Sequence, residues 1–265
     1  MSTLRRAVEA RRAGTLQGFA CPDYGEAAGV RHVFGARAAD GSGNLALSGD
    51  RDREAACAAR AAWIGSLGGD AARLVVGGQV HGATVATVDE AEAGRGASDP
   101  ERVLPATDGL FTTTRGLPLY VAGADCGTVL LSAGRGDHAA LAVVHAGWRG
   151  LAGGILGVAL ARFAAAGHDA ASIEAWVAPC IHAPSYEVGP EVADQAPEGV
   201  KHPGEGDRWQ LDVEAWCAHE LAAGGLRPEA IRVSGLDTGS DRRLFSHRRQ
   251  GEGAGRNGLI ALLAP

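Results

Sequence analysis

The sequence lacks the features that would place it at a membrane or on a nucleic acid. No apolar run approaches the roughly 18 residues of a membrane span. The N-terminus, MSTLRRAVEARRAG, contains arginines but no apolar core of signal-peptide length. The net charge is -6 and charges of both signs are scattered, so no basic face indicates nucleic-acid binding. We therefore expect a cytoplasmic protein without membrane or nucleic-acid partners.

Cysteine is too scarce and too scattered for a disulfide framework. The five cysteines are odd in number and far apart in a chain of 265 residues, which suits a reducing compartment. Glycine, in contrast, is abundant at 40 residues, and hydrophobic residues make up 46% of the chain. Because apolar runs recur throughout, this glycine content indicates tight turns and close packing around a sizeable core.

The apolar runs are short and bounded by glycines, a pattern typical of buried strands. Predicted strands cover residues 30–35, 74–76, 83–88, 117–122, 141–144, 173–178, 231–233 and 259–263. Predicted helices cover residues 52–67, 150–166 and 209–223. Residues 1–29 carry weak signals and residues 91–106 form a polar loop, but no composition break is strong enough to mark a domain boundary.

Residues 108–156 carry the clearest chemical signal. Cys126 lies just past one predicted strand, and His145 directly follows another. If these strands are adjacent, their ends bring the thiol and the imidazole together. The segment Gly147–Gly150 then leads into a helix, where backbone N–H groups and the helix dipole favour an anion. The stretch therefore predicts an active site.

A second histidine, His81, lies in a glycine-flanked turn between two short strands, where a plain surface residue is the more common interpretation. With Cys126 and His145 it forms a His2Cys set, and three ligands plus an open position are typical of catalytic zinc. Zinc would lower the pKa of a bound water toward about 7. Without a metal, Cys126 would be an activated thiolate. Asp125 can transfer a proton in either case.

Two pairs of residues give weaker signals. Arg37 and Asn44 can bind a substrate, although on the residues alone a solvated arginine and a turn asparagine are the more common interpretation. Cys180 and His182 project to the same side of an extended segment, but two ligands are too few for a metal site.

Arginines also cluster near the C-terminus. Arg248, Arg249 and Arg256 stand beside glycines and can recognise an anion. An exposed, solvated run of charge is the alternative interpretation.

Five motifs occur in an order that resembles the YfiH-like family, also called the laccase-domain or polyphenol oxidase family. They are QVHG at 79–82, ADC at 124–126, HAGWRG at 145–150, YEVG at 186–189 and FSHRR at 245–249. The resemblance runs from about residue 34 to the C-terminus. It implies an α+β fold in a single domain, with mixed β-sheets sandwiched between helices in α/β/β/α order. Residues 30–265 would form this domain, after an N-terminal segment of uncertain order at 1–29.

The resemblance also implies a zinc ion held by His81, Cys126 and His145, with copper less favoured. The family's activities are phosphorolysis of adenosine, inosine and methylthioadenosine, adenosine deamination and a copper-linked phenol oxidation. Some members are described as peptidoglycan-editing factors. We therefore expect a monomeric or homodimeric zinc-dependent purine nucleoside enzyme, with a peptidoglycan-precursor amidase as the alternative. Its catalytic residues would be Cys126, Asp125 and His145, and substrate and phosphate would contact Arg37, Asn44, Gln79, Arg149 and Arg249.

The chain departs from the family pattern around the pocket but not at the metal ligands. Only Arg37 remains of the family's Ser-Thr-Arg, and Gly127-Thr128 replaces the Leu-Pro after ADC. Asp237 stands where a cysteine is common, and Ala254 replaces the threonine of a closing Thr-Gly-Arg.

Multicopper oxidases hold their coppers with many histidines, mostly in His-x-His pairs. The nine histidines here include no such pair, so we expect no laccase activity. A non-catalytic protein with a structural zinc is a third interpretation, which a fourth protein ligand would favour.

Overall fold

The computed structural model describes residues 4–49 and 51–265. The strands are β1 (Arg5–Arg6), β2 (Glu9–Ala13), β3 (Leu16–Ala20), β4 (Val30–Ala36), β5 (Val75–Val76), β6 (Val85–Thr87), β7 (Gly109–Thr112), β8 (Leu119–Gly123), β9 (Gly127–Ala133), β10 (Ala140–Ala146), β11 (Glu174–Val177), β12 (Glu187–Val188), β13 (Lys201–Pro203), β14 (Trp209–Leu211), β15 (Ile231–Val233) and β16 (Asn257–Leu263). The helices are α1 (Arg53–Ser66), α2 (Trp148–Ala152), α3 (Ile155–Ala165), α4 (Pro190–Ala193), α5 (Val213–Ala223) and α6 (His247–Gln250).

The described strands form two large mixed sheets and one small one. A seven-stranded sheet has the order β1-β15-β11-β9-β10-β7-β6, and a six-stranded sheet has the order β2-β3-β4-β16-β8-β5. In the seven-stranded sheet the three central pairings, β11–β9, β9–β10 and β10–β7, are antiparallel, and the outer three are parallel. In the six-stranded sheet the edge strand β5 pairs parallel with β8, and the other pairings are antiparallel. The third sheet is a three-stranded ribbon, β12-β14-β13.

Side-chain alternation along the strands builds three separate cores. On β10, Leu141 and Val143 point to the core between the two large sheets, whereas Ala142 and Val144 point to a core shared with α3 and α5. A third core joins the outer face of the six-stranded sheet to Trp63 on α1. The layers therefore run helix, sheet, sheet, helix. This confirms the predicted single-domain α+β sandwich, and it explains the continuous apolar runs, because strands buried on both faces need them.

The sheets also include the N-terminal residues. Strand β1 pairs with β15 in the seven-stranded sheet, while β3 pairs with β4 across the expected boundary at residue 30. Residues 4–29 are therefore part of the same layered body. The first three residues of the predicted N-terminal segment lie outside the described residues.

Two predicted helices are wrong in their bounds. The predicted helix at 150–166 is two helices, because Gly154 takes φ +76° and interrupts the helical hydrogen bonding between α2 and α3. The predicted helix at 209–223 begins as strand β14. Helix α5 starts only after Asp212, whose side chain accepts a hydrogen bond from the Ala215 N–H at 2.8 Å as an N-cap.

The strands that lead to Cys126 and His145 are not neighbours in one sheet, contrary to expectation. Strand β8 belongs to the six-stranded sheet and β10 to the seven-stranded one. The chain crosses between the sheets at residues 124–126 and continues as β9, which pairs with β10 and was not predicted. The two ends still meet, because the sheets pack face to face and His145 lies opposite Thr128 in the β9–β10 pairing.

Candidate metal centre

Three side chains meet where the two large sheets are joined. His81 comes from the loop between β5 and β6, Cys126 from the crossing between β8 and β9, and His145 from the end of β10. Their ligand atoms all lie within 4.8 Å of one another, and the two imidazole rings stand edge to face with centroids 4.9 Å apart. The structure thus brings together the three residues that the sequence analysis placed in one set.

A buried carboxylate, Asp108, holds two of these ligands in position. It accepts hydrogen bonds from the backbone N–H groups of Val80, His81 and Gly82 at 3.1, 2.9 and 2.8 Å. Its Oδ1 also lies 2.9 Å from Nδ1 of His145. An Nδ1–H that donates to Asp108 leaves Nε2 of His145 as the lone-pair nitrogen for a metal. The same carboxylate therefore sets the His145 tautomer and fixes the loop that carries His81.

The ionisation of Asp108 follows from these contacts. Burial alone would raise its pKa, because the side chain has no exposed surface. The hydrogen bonds from His145 and from the Gly82 and Val80 N–H groups outweigh burial and lower the pKa. Asp108 is therefore a carboxylate at neutral pH. This residue was not among the sequence-predicted site residues, because an aspartate before a short strand is a common turn signal.

The backbone around Cys126 is held in an uncommon conformation. Asp125 has φ +93°, which is rare for a residue with a side chain, and its two oxygens accept hydrogen bonds from Thr238 Oγ1 and the Arg248 N–H, both at 2.6 Å. These bonds tie the Cys126 turn to the C-terminal part of the chain. Gly147 leaves room beside the ligands, since a Cβ there would lie 3.0 Å from the His81 ring and 3.1 Å from Cys126 Sγ.

Cys126 and His145 affect each other's ionisation. Removal from water would raise the pKa of Cys126, but the charge of His145 and hydrogen bonds from His145 and His81 lower it to about 6. Burial would lower the pKa of His145, but Cys126 and Asp108 together raise it. In the metal-free protein the two groups therefore form a thiolate–imidazolium pair near neutral pH. A thiolate is the form that binds a metal.

The ligand set opens into a cavity of about 720 Å³, a volume typical of small-molecule sites. Beside the ligands, its wall includes Trp148 and Tyr186, each with an arginine against its ring. The guanidinium carbon of Arg149 lies 4.2 Å from the Trp148 ring centroid, and that of Arg248 lies 4.9 Å from the Tyr186 ring centroid. His247 also lines this part of the cavity. Aromatic faces and cations thus lie next to the three ligands.

Arg60, Tyr120 and Arg256 form another part of the same cavity, together with Ser48. Arg60 projects from α1 and is 4% exposed, and Tyr120 projects from β8 and is 1% exposed. The sequence offers one signal for Arg60, because it shares the buried face of α1 with Ala56, Ala59 and Trp63. A charged residue on an apolar face is uncommon. Tyr120, inside an apolar run, offers none.

The predicted substrate-binding residues are placed in different environments. Arg149 and Gln79 line the cavity, although both amide atoms of Gln79 are already hydrogen-bonded to the Ala122 backbone, at 2.8 and 2.9 Å. Arg37 and Asn44 line a second cavity beside α1. Asn44 Oδ1 there accepts from the backbone N–H groups of Ala46 and Arg256, at 3.2 and 2.9 Å.

Arg249 serves the backbone around it. Its guanidinium donates to the carbonyl oxygens of Thr238, Gly239 and Asp241 at 3.0 to 3.2 Å, and also to that of Leu244. Its neighbour Arg248 faces the cavity instead. The C-terminal arginine cluster is therefore divided between a structural and a cavity-facing role.

The Cys180–His182 segment forms a separate polar cluster. Cys180 is fully buried, and His182 Nε2 lies 3.6 Å from a carboxylate oxygen of Glu214. Asp237 accepts from the His182 N–H at 3.2 Å, from Ser185 Oγ at 2.5 Å and from the Gly239 N–H at 2.9 Å. Among the described residues, His81, Cys126 and His145 are the one set of three such side chains close enough to share an ion.

Comparisons with known proteins identify the family of the chain. Residues 31–264 match the family model described as multi-copper polyphenol oxidoreductase laccase. A purine nucleoside phosphorylase of Xylella fastidiosa is 35% identical over 196 residues, which cover 70% of this chain and 69% of that protein. A purine nucleoside phosphorylase of Corynebacterium glutamicum is 32% identical over 244 residues, covering 88% and 94%.

Solved structures show the same architecture. The crystal structure of YlmD from Geobacillus stearothermophilus superposes with a TM-score of 0.88 at 25% identity, covering 97% of this chain and 99% of that one. The hypothetical protein YfiH of Bacillus licheniformis gives a TM-score of 0.87 at 23% identity, covering 96% of this chain and 98% of that one, and shows the shared fold.

In the part of the chain that is described, no helix is both long and apolar enough to cross a membrane.

Proposed function

The chain belongs to the YfiH-like family, whose model is described as multi-copper polyphenol oxidoreductase laccase, and we propose that it is a zinc-dependent purine nucleoside phosphorylase. One observation carries this proposal. The His81–Cys126–His145 set opens into a cavity of nucleoside size, and relatives at about a third identity are named purine nucleoside phosphorylases. Adenosine, inosine and methylthioadenosine are the proposed substrates, with adenosine deamination as a second activity.

The three side chains fit a zinc ion. A thiolate and two imidazoles are donors that zinc accepts, and the three atoms are close enough to share one ion. Asp108 supplies the carboxylate partner that metal-binding histidines commonly have. Among the described residues no fourth side chain joins the set, and the cavity lies against it, as expected of a catalytic rather than a structural site. Copper is the alternative, although one such set does not form a multicopper cluster.

A bound zinc ion would supply a Lewis acid that stabilises negative charge as it develops. The rest of the chemistry depends on the protein's own side chains. In phosphorolysis a phosphate oxygen bonds to the ribose carbon as the bond to the purine nitrogen breaks, and the base leaves with a proton. The ribose gains positive charge in this step, so a phosphate held close by stabilises it electrostatically.

The cavity contains groups that can bind the phosphate and the purine base. Arg149, stacked on Trp148, is the proposed phosphate ligand beside the three metal-binding side chains (the metal set), because a guanidinium group can bind two phosphate oxygens at once. The faces of Trp148 and Tyr186 provide surfaces on which a purine can stack. We assign Asp125 to the positioning of Cys126 instead of proton transfer, because both its oxygens already accept hydrogen bonds.

The relatives named purine nucleoside phosphorylase favour a nucleoside over a cell-wall precursor. A peptidoglycan-precursor amidase would need a wide basic groove, and the cavity is lined by four arginines, Arg60, Arg149, Arg248 and Arg256, so that its charge suits both substrates. The deciding experiment is a product analysis of zinc-loaded protein given nucleosides and muropeptide precursors side by side. We expect free purine base from the nucleosides. Release of an amino acid from the precursor, with no base released, would overturn the proposal.

A further inference from the structure

The cavity contains a buried polar group whose hydrogen-bonding capacity is unused. The hydroxyl of Tyr120 is buried in the cavity wall close to the Arg60 side chain, and no described residue makes a hydrogen bond of ordinary geometry to it. An unpaired buried hydroxyl is costly, so most such groups in proteins are paired with protein, water or ligand. A group of this kind facing a cavity indicates that a ligand completes it.

A guanidinium group, that of Arg60, lies over the ring of Tyr120. The Arg60 guanidinium carbon lies 4.5 Å from the Tyr120 ring centroid. Arg60 is held there by its Nε, which donates to the Leu45 carbonyl at 2.7 Å, and by its Nη1, which donates to the Gly96 and Ala97 carbonyls at 3.2 Å. These bonds fix the guanidinium in place but leave its charge unneutralised, since carbonyl oxygens carry no formal charge.

Arg256 adds a second cation to the same part of the cavity. Its Nη1 donates to the Ala254 carbonyl at 2.7 Å and to the Gly255 carbonyl at 3.2 Å. Burial and the nearby charge of Arg51 lower its pKa, while Cys126 and Tyr120 act in the opposite direction. Arg256 lines the same cavity as Cys126 and Tyr120.

Among the described residues none of Arg51, Arg60 and Arg256 takes part in an ion pair, because the salt bridges there involve other residues. Asp125 and Cys126 line the same cavity and offset part of the Arg256 charge without direct contact. A buried guanidinium without a counter-charge is unfavourable unless a ligand supplies that charge. Two cavity-facing arginines and an unpaired hydroxyl form a donor set for the oxygens of a tetrahedral anion.

We propose that Arg60, Tyr120 and Arg256 form an oxyanion subsite that binds a phosphate group, either inorganic phosphate or the phosphoryl group of a nucleotide. This subsite is separate from the phosphate contact assigned to Arg149. It rests on the proposed function only in the choice of adenosine compounds as probes. With this subsite the cavity would bind nucleotides as well as nucleosides, or it would bind a second inorganic phosphate ion.

The test is a binding measurement on zinc-loaded protein by calorimetry, with inorganic phosphate, adenosine and adenosine 5′-monophosphate as probes. Tyr120→Phe removes only a hydroxyl that has no protein partner, so we expect the variant to keep its melting temperature. A hydrogen bond to a charged acceptor contributes about tenfold in affinity. We therefore expect Tyr120→Phe to weaken at least one phosphate-bearing probe by about tenfold, with adenosine unchanged. Arg256→Gln should weaken the same probe.

Tyr186→Phe is the matched control, because Tyr186 lines the same cavity beside Arg248. It should leave the ratio of the adenosine 5′-monophosphate and adenosine affinities unchanged. Loss of inorganic phosphate binding in Tyr120→Phe identifies free phosphate as the ligand, and loss confined to the nucleotide identifies its phosphoryl group. The subsite is refuted if Tyr120→Phe binds every probe like the wild type, or if only Tyr186→Phe weakens the anions.

The subsite and the proposed phosphorylase activity can fail separately. Phosphate binding that depends on Tyr120, without base release from any nucleoside, would support the subsite and contradict the phosphorylase. Base release together with unchanged binding in Tyr120→Phe would support the phosphorylase and contradict the subsite.

Discussion

Asp108→Asn tests how the protein holds its metal set. The carboxylate accepts four hydrogen bonds, two at each oxygen: His81 N–H and His145 Nδ1 at Oδ1, and the Val80 and Gly82 N–H groups at Oδ2. Asparagine keeps the shape but offers one oxygen and one NH2 group. In either orientation of the amide, two buried donors then face another donor.

The expected magnitude follows from those two lost hydrogen bonds. A buried donor left unpaired costs about 1–3 kcal/mol, so the variant should lose about 2–6 kcal/mol in free energy of unfolding. Loss of the carboxylate behind a metal-binding histidine typically lowers metal affinity by about 10- to 100-fold. We expect a zinc dissociation constant raised by that factor, because His145 loses its fixed tautomer or His81 loses its backbone anchor.

The assay is zinc competition with a chromophoric chelator, with chemical denaturation of the metal-free protein in parallel. Asp237→Asn is the matched control, because Asp237 also anchors a loop through backbone and hydroxyl donors but supports no ligand of the set. It should lower stability and leave zinc affinity unchanged. Unchanged zinc affinity in Asp108→Asn would refute the positioning role of Asp108.

Three further predictions concern the chemistry of the site. With no His-x-His pair, the protein should not oxidise phenols even with added copper; oxygen uptake at about 10 turnovers per second, a median enzyme rate, would contradict this. Arg149→Ala should lower base release from adenosine by about 30- to 1000-fold and inosine formation far less, both measured by chromatography; an equal fall in both would mean that Arg149 supports the fold or the metal. In metal-free protein, the alkylation rate of Cys126 should rise as the pH increases through about 6, because His145 stabilises the thiolate, and zinc should suppress this reaction. The rate measured for Cys126→Ala is subtracted to remove the contribution of Cys57. A rise only near the ordinary thiol pKa of about 8.5 would show that no ion pair forms.

The sequence predicted the layers and the metal set because both depend on local patterns. Strands buried on both faces leave apolar runs, and β10 and β16 were recognisable for that reason. Cys126 and His145 were visible as soft ligands next to strand ends, and His81 was added through the QVHG motif of the family resemblance. The residue that positions these ligands, Asp108, was not predictable in the same way. Asp108 acts through backbone donors that are 26 to 28 residues away in sequence, and no local pattern records such a contact.

Other differences arise from competition between local and tertiary preferences. Residues 209–211 fit a helical pattern with the residues that follow, yet they pair with β12 and β13 as a strand. Arg37 and Arg249 were plausible anion ligands by residue type alone. Which arginines face the cavity is decided by tertiary structure: Arg37 lines the second cavity, whereas Arg60 of α1 and Arg256 line the cavity beside the three ligands.

The most direct test of the account is whether base release depends on phosphate and on the metal set together. Purified protein should carry about one zinc per chain by elemental analysis, and Cys126→Ala should lose it. With adenosine and phosphate, the zinc-loaded wild type should form adenine and ribose 1-phosphate in equal amounts, and omission of phosphate should stop adenine release. Equal adenine release without phosphate, or full activity in zinc-free Cys126→Ala, would contradict a zinc-dependent phosphorylase.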